Sequence, residues 1–371
     1  MKTGSKLSED EIQLYNAFVA SKKAQPVAVD LAARVFQVCY IDKDTGRLYN
    51  RKLSRADFFK FITEQKDKVI WGFEACGACN FLARKVAEHG HDSKIMPAAS
   101  IKSFLGIDKS DKIDAMGIFR ALITPTIREI KPRSVGNQML LWLFTAREQL
   151  NKQMVQTINV AHAILYEFGT VADKAYTKNV KVLKDGFAEM RDKYRQLPEY
   201  LHIELTLNAV EEQLDALSKK LEQIDDRLET IGKTDSVCRA LCSIPGIGPK
   251  TAVAFVAYAG DIGRFPSSRH FCSFIGVTPR ITGTGGKIIT IGLRKSGIKT
   301  LKRMLYMCAF VYLCSSVRRG VMSSWLKSRL NRKGYSKRKI ICAIMNRLCR
   351  IAYSVMKNGK TFEPGRCSMI A

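Results

Sequence analysis

Residues Val27 to Asp42 read VAVDLAARVFQVCYID. The stretch is rich in β-branched and apolar residues, so it reads as a buried strand, bent near Asp30. Asp30 is the residue out of place. A carboxylate inside a strand that otherwise reads as buried is expensive unless it is paired or ligates a cation. Downstream, TGRLYNRKL (Thr45–Leu53) follows a glycine turn and completes a hairpin. SRADFFKFITEQ (Ser54–Gln65) has a serine at the N-cap position and helical spacing behind it. KVIWGFEA (Lys68–Ala75) is a further strand with a second acid, Glu74, at its end. CGACNFLARKVAEHG (Cys76–Gly90) is a helix closed by glycine, and DSKIMP (Asp92–Pro97) is a short strand. A hairpin followed by strands alternating with helices predicts an α/β domain with a mixed sheet over residues 26–125.

A helix begins near Ser110 in KSDKIDA (Lys109–Ala115), and Asp111 and Asp114 fall one turn apart on its face. Taken singly, Asp111 could cap the helix, Asp114 could pair with a lysine, and Asp30 or Glu74 could be satisfied locally. Taken together, four carboxylates in this layout form an oxygen-donor set of the kind that hard divalent cations such as Mg²⁺ or Mn²⁺ prefer. Two such ions can stabilise the attacking and the leaving oxygen of a phosphodiester.

The chain has 371 residues, 46% of them hydrophobic, and a formal net charge of +27. That charge predicts polyanionic partners. From Lys287 to Arg366 there are 20 Lys and Arg and one acid, Glu363, so the excess is concentrated near the C-terminus. A domain so one-sided repels itself unless a polyanion neutralises it. No apolar run approaches the ~20 residues of a membrane span, and the N-terminus lacks a signal-peptide core. Eleven cysteines in a chain this long argue against a disulfide framework and for a reducing cytoplasm. Cys76 and Cys79 form a lone C-x-x-C without the second pair of a zinc ribbon. The three tryptophans, Trp71, Trp142 and Trp325, are expected to pack, and a helix-cap role fits His89 and His91.

Five segments result: a polar N-terminal extension (1–25), the α/β domain (26–125), a helical linker (134–232), a basic C-terminal domain (236–360) and a tail (361–371). In the linker, Ile203, Leu207, Val210, Leu214, Leu217, Leu221, Ile224, Leu228 and Ile231 alternate spacings of 4 and 3, which predicts an antiparallel or intermolecular coiled coil. IPGIGPKTA (Ile244–Ala252) resembles a helix-hairpin-helix, whose turn can hold a phosphate at a helix N-terminus. Gly246, Gly248 and Lys250 are its candidate backbone contacts. Arg280, Lys287, Arg294, Lys295, Lys299 and Lys302 lie in or beside Gly-rich basic turns, and Arg332, Lys333, Lys337 and Arg338 form a second basic loop. Such groups act mainly through phosphates.

Asp on the first strand, Glu in EACG and the D-x-x-D-A pair resemble the DEDD transposases of bacterial insertion sequences, which include Piv/MooV-type invertases and bridge-RNA-guided recombinases. SIPGIGPKTA, FCSFIGVTPR, TGTGGK and GLRKSGIKTLKRML fall in that family's order. The resemblance implies an RNase H-like (RuvC-like) domain in which Asp30, Glu74, Asp111 and Asp114 are catalytic and hold Mg²⁺ or Mn²⁺. It also implies a hydroxyl nucleophile in the basic domain, at Thr284, where the family has serine, or at the nearby Thr282. The implied activity is that of a transposase or site-specific recombinase. The partners are donor and target DNA, a structured guide RNA from the same element, and further copies of the chain in a dimer or tetramer. The location is the bacterial cytoplasm, at the nucleoid. Two alternatives stay open: a RuvC-type nuclease, which would need the four acids and not Thr284, and a decayed transposase that only binds nucleic acid, which two departures, Ala33 in place of a frequent lysine and Thr284 in place of serine, keep in play.

Overall fold

The computed structural model describes residues 7–105, 110–170, 180–283, 286, 289–319, 323–331 and 336–363. The chain divides into two compact units, Met1–Ser134 and Val135–Ala371.

The first unit runs α1 (Glu9–Lys22), β1 (Gln25–Asp30), β2 (Val35–Ile41), β3 (Leu48–Ser54), α2 (Arg55–Thr63), β4 (Val69–Glu74), α3 (Cys79–Glu88), β5 (Asp92–Met96), α4 (Ala98–Ile101) and α5 (Asp111–Ile123). Its five-stranded sheet has the order β3-β2-β1-β4-β5. β1, β2 and β3 are antiparallel neighbours, while β4 and β5 run parallel to β1. The Val27–Asp42 stretch is therefore not one bent strand but two, with the chain reversing over residues 31–34. The physical reason is that both faces are covered. Val27, Val29, Phe36 and Val38 pack in one core with Phe58, Trp71 and Leu82. Ala28 and Cys39 pack in another with Phe119 and Leu122 of α5. A strand buried on both faces loses its period-2 alternation, so a bend and a reversal look alike in sequence. α5 lies close on the sheet at Gly72, where an added Cβ would come within 2.9 Å of Leu122 Cδ2. Ser54 caps α2 by accepting from the Asp57 amide at 3.2 Å. The segment before residue 25 includes a formed helix, α1, closed by a Ser8–Glu11 capping box and tied to α5 by a Glu11–Arg120 ion pair.

The second unit runs α6 (Val135–Glu167), α7 (Val180–Tyr194), α8 (Tyr200–Thr234), α9 (Ser236–Cys242), α10 (Pro249–Ala259), α11 (Ser268–Ile275), β6 (Pro279–Thr282), β7 (Ile289–Leu293), α12 (Lys299–Arg318), α13 (Ser324–Leu330) and α14 (Lys337–Asn358). α6 and α8 run antiparallel. Arg147 Nη2 of α6 donates to Asp225 Oδ2 towards the end of α8 at 3.0 Å. At the other end Leu165 shares a core with Leu207, Leu183 and Phe187. The apolar stripe of α8 thus turns onto α6 and α7 of its own chain, and Leu228 continues it into a core with Phe144, Leu241, Phe255 and Leu348. Trp71 packs fully, whereas Trp142 does not: it is 64% exposed on α6. His91 is no helix cap either. It is buried, with Nε2 3.2 Å from the Ile62 carbonyl, and His89 takes the C-cap of α3. Among the described residues, no helix is long and apolar enough to cross a membrane.

Candidate functional site

The sheet register brings the acids together. Asp30 ends β1 and Glu74 ends β4, one step beyond the last paired residues, Val29 and Phe73, of these parallel neighbours. Residues paired across strands project from the same face. Asp30 has the parity of Ala28, and Glu74 that of Gly72, so both share the face on which α5 packs. Gln37 pairs with Asp30, and Lys52 of β3 pairs with Gln37. One row across four strands therefore reads Lys52, Gln37, Asp30, Glu74. The first turn of α5 adds Asp111 and Asp114. Ser110 caps that turn, its hydroxyl accepting from the Ile113 amide at 3.4 Å, and carboxylates there are favoured by the helix dipole.

Electrostatics express this closeness. The Asp30 carboxyl is pushed up to about 6, first by burial and then by the charges of Asp114, Asp111 and Glu74. Cys76 is raised to about 11, by burial first and then by Cys79, Glu74 and Asp30. Asp111 goes the other way: Lys52, with Nζ 2.9 Å from Oδ2, holds it below the usual carboxylate range. Among the described residues, no three His, Cys, Asp or Glu side chains are gathered tightly enough to chelate an ion. The four acids are thus an electrostatic cluster and not a closed cage, and Asp111 is turned to a lysine. The donor set remains all oxygen, in a field that raises Asp30. A divalent cation fits that combination, since it would relieve the crowding.

The basic candidates divide. Gly246 has φ of 87°, and a Cβ there would meet the Cys308 carbonyl at 2.9 Å, so the turn before α10 needs glycine. Gly248 is the N-cap of α10, with Pro249 behind it. Lys250 is bound inward, to Asp225 at 2.9 Å. Lys302 also turns inward and donates to the carbonyls of Arg294 at 3.1 Å and Ser296 at 2.8 Å. Arg280, Arg294, Lys295, Lys299, Lys337 and Arg338 are exposed. Thr282 closes β6 and is exposed. Thr284, Lys287, Arg332 and Lys333 lie outside the described residues. Sequence reading missed the polar pair Gln37 and Asn50. Gln37 Nε2 donates to Asn50 Oδ1 at 2.6 Å, and Asn50 Nδ2 donates to the Lys112 carbonyl at 2.8 Å. Their only signal was two amides in strands otherwise apolar or charged.

The strand order, with three antiparallel strands followed by two parallel ones, is consistent with an RNase H-like DEDD domain, the class found in DNA-processing enzymes. Residues 27–169 match a DEDD transposase domain of the IS110 type, and residues 238–322 match the Transposase IS116/IS110/IS902 family. The chain belongs to this family of insertion-sequence transposases, and is a DNA transposase/recombinase. The transposase for insertion sequence element IS1328 of Yersinia enterocolitica is 29% identical over 91% of this chain and 98% of its own length. The transposase for insertion sequence element IS1111A of Coxiella burnetii is 26% identical over 98% and 99%. The pilin gene-inverting protein of Moraxella lacunata is 26% identical over 91% and 97%.

Proposed function

We propose that this transposase cuts and rejoins DNA by metal-dependent transesterification, with Asp30, Glu74, Asp111 and Asp114 as the ligands of Mg²⁺ or Mn²⁺. The observation that carries this reading is Asp30, raised by burial and by three further carboxylates on one face of the sheet. Like charges gathered at cost in a basic chain indicate a site built for a cation. Bound there, a divalent ion would supply Lewis-acid stabilisation of the attacking and leaving oxygens. Lys52 releases Asp111 for this purpose at little cost, because both partners of that ion pair are exposed.

The attacking group is a hydroxyl of the β6–β7 region, Thr284 in first place and Thr282 in second. Its oxygen bonds to the scissile phosphorus, the phosphorus–deoxyribose oxygen bond breaks, and the hydroxyl proton leaves with that oxygen. The phosphoester energy is kept in a protein–DNA link for the rejoining step. Exposed Arg280, Arg294, Lys295, Lys299, Lys337 and Arg338, with Lys287, Arg332 and Lys333, hold phosphates, and the Gly246–Gly248 turn offers main-chain amides at the start of α10. Targeting is by a structured RNA from the same element, and synapsis of two duplexes is by a dimer or tetramer. The inverting activity named for the Moraxella relative supports the cut-and-rejoin outcome here.

The test is a covalent-adduct assay. Purified protein, RNA transcribed from the flanking element, labelled donor and target DNA and Mg²⁺ are combined and resolved on a denaturing gel. A DNA-shifted protein band, lost in Thr284→Ala and in Asp111→Asn, is expected. Free cleaved DNA without a band, lost only in Asp111→Asn, would instead make the chain a RuvC-type nuclease. Binding without cleavage would make it a decayed transposase.

A further inference from the structure

The Gln37–Asn50 pair is a feature of the first unit that neither the core nor the four acids account for. Gln37 is 3% exposed, and among the described residues nothing donates a hydrogen bond to its Oε1. A buried acceptor left unmatched costs roughly 1–3 kcal/mol. A leucine or valine at this strand position would avoid that cost. Something at this place therefore uses the amide. Its neighbours are Asp30 on one side and Lys52 on the other, in direct cross-strand register.

The amide's other half points to the same purpose. Gln37 Nε2 donates to Asn50 Oδ1 at 2.6 Å, and Asn50 Nδ2 donates to the carbonyl of Lys112 at 2.8 Å. Lys112 sits between Asp111 and Asp114 in the first turn of α5. The relay thus runs from the strand beside Asp30 to the peptide that separates the two helical acids. Lys52, next in the row, takes the Asp111 carboxylate itself at 2.9 Å. Core packing holds the body of α5 on the sheet through Phe119 and Leu122. Its first turn begins with exposed Asp111 and Lys112 and has no fully buried residue before Ala115. One hydrogen bond, from an Asn50 that Gln37 holds in place, and one exposed ion pair do that work.

We propose that Gln37, acting through Asn50, is a positioning residue of the carboxylate site. The pair ties the first turn of α5 to β2 and β3, beside Asp30 of β1, and Gln37 Oε1 provides an acceptor at the edge of the coordination sphere. This rests on the reading that the four acids hold a divalent cation. Groups one step behind the ligands orient them, and their loss characteristically weakens metal affinity about 10- to 100-fold. Gln37 differs from a core-filling residue in this respect: shape alone would be preserved by Gln37→Met.

The experiment measures Mn²⁺ binding to the full chain directly, by the loss of the free-ion EPR signal, without DNA. The variants are Gln37→Met, Asn50→Leu and Asp30→Asn, and the melting temperature and DNA affinity are followed in parallel. Gln37→Met is expected to weaken Mn²⁺ binding about 10-fold with DNA affinity unchanged. Asn50→Leu removes both the acceptor for Gln37 and the donor to Lys112 without adding charge, so it should weaken binding by a similar factor. It also carries the test alone if Gln37→Met does not fold. Asp30→Asn should abolish Mn²⁺ binding. If Asp30→Asn abolishes it and both amide variants stay within twofold of the parent, the positioning role is overturned and the metal site stands. If Asp30→Asn binds Mn²⁺ as the parent does, the metal reading itself falls, and this inference with it.

Discussion

The two units treat charge in opposite ways. In the sheet unit, four acids share one face, and one of them, Asp30, is driven to about 6 by burial and by the others. In the helical unit, several charges that leave the solvent are matched by opposite or polar groups. Asp225 is pushed up by burial, but Arg147 and Lys250 outweigh that and hold it low. Glu148 is taken by Arg303 and by the Thr300 hydroxyl, the latter at 2.6 Å. Lys302 is spent on main-chain carbonyls. Matched opposite charges offset one another's cost of leaving water, whereas crowded like charges must be explained by something that binds them. The same contrast sorts the basic residues, since those already matched inside the unit are poor candidates for phosphate.

The sharpest break would come at the acids. Asp114→Asn should lower strand cleavage more than about a thousandfold, as expected when several kcal/mol of transition-state stabilisation is lost. DNA binding in a gel-shift assay should be unchanged, because the basic unit is untouched. Cleavage within tenfold of the parent would leave the crowded carboxylates without a function.

The next effect tests the other half of the comparison. Arg294, Lys295 and Lys299 are exposed. Replacing all three by alanine should weaken DNA binding across all sequences and reduce the slope of log K against log salt by about 1 per residue. Lys250 is the contrasting case, being tied to Asp225 at 2.9 Å. Lys250→Met should leave the salt slope alone and cost about 1 kcal/mol of stability, since Asp225 keeps its two bonds from Arg147. A salt slope lowered by Lys250→Met, with stability intact, would reverse the assignment.

Much of this was legible in the sequence, and the failures have physical causes. β4, β5, α2, α3 and α5 could be read because caps and glycines punctuate them: Ser54, Ser110 and Gly90 stand at helix ends. The Val27–Asp42 stretch was misread because burial on both faces erased the alternation that marks a reversal. The four acids could be proposed because each sat where a carboxylate is costly or aligned. Gln37 and Asn50 could not, because a polar residue in a strand ordinarily reads as solvent-facing. Only the register, which pairs Gln37 with Asp30, gives it meaning. Lys250 and Lys302 looked identical to their exposed neighbours, since sequence shows a charge but not the partner that quenches it.

The smallest expected effect bears on why the acids are crowded at all. Asp30 is raised in the folded chain, so folding favours its protonated form. That contribution is fully present below the ordinary Asp range and is lost as pH rises through about 6. With EDTA present, Asp30→Asn and the parent should be equally stable near pH 4, where both side chains are neutral. By pH 7 the variant should be the more stable, by about 1 kcal/mol once the solvent screening of a half-buried carboxyl is allowed for. Denaturant titration across that range measures the difference. Adding Mn²⁺ at pH 7 should reverse the order, since only the parent then gains a ligand that binds the folded state. A parent more stable than Asp30→Asn at pH 7 without metal would mean that Asp30 has a cationic partner inside the protein. The sheet unit would then obey the same charge-matching rule as the helical one.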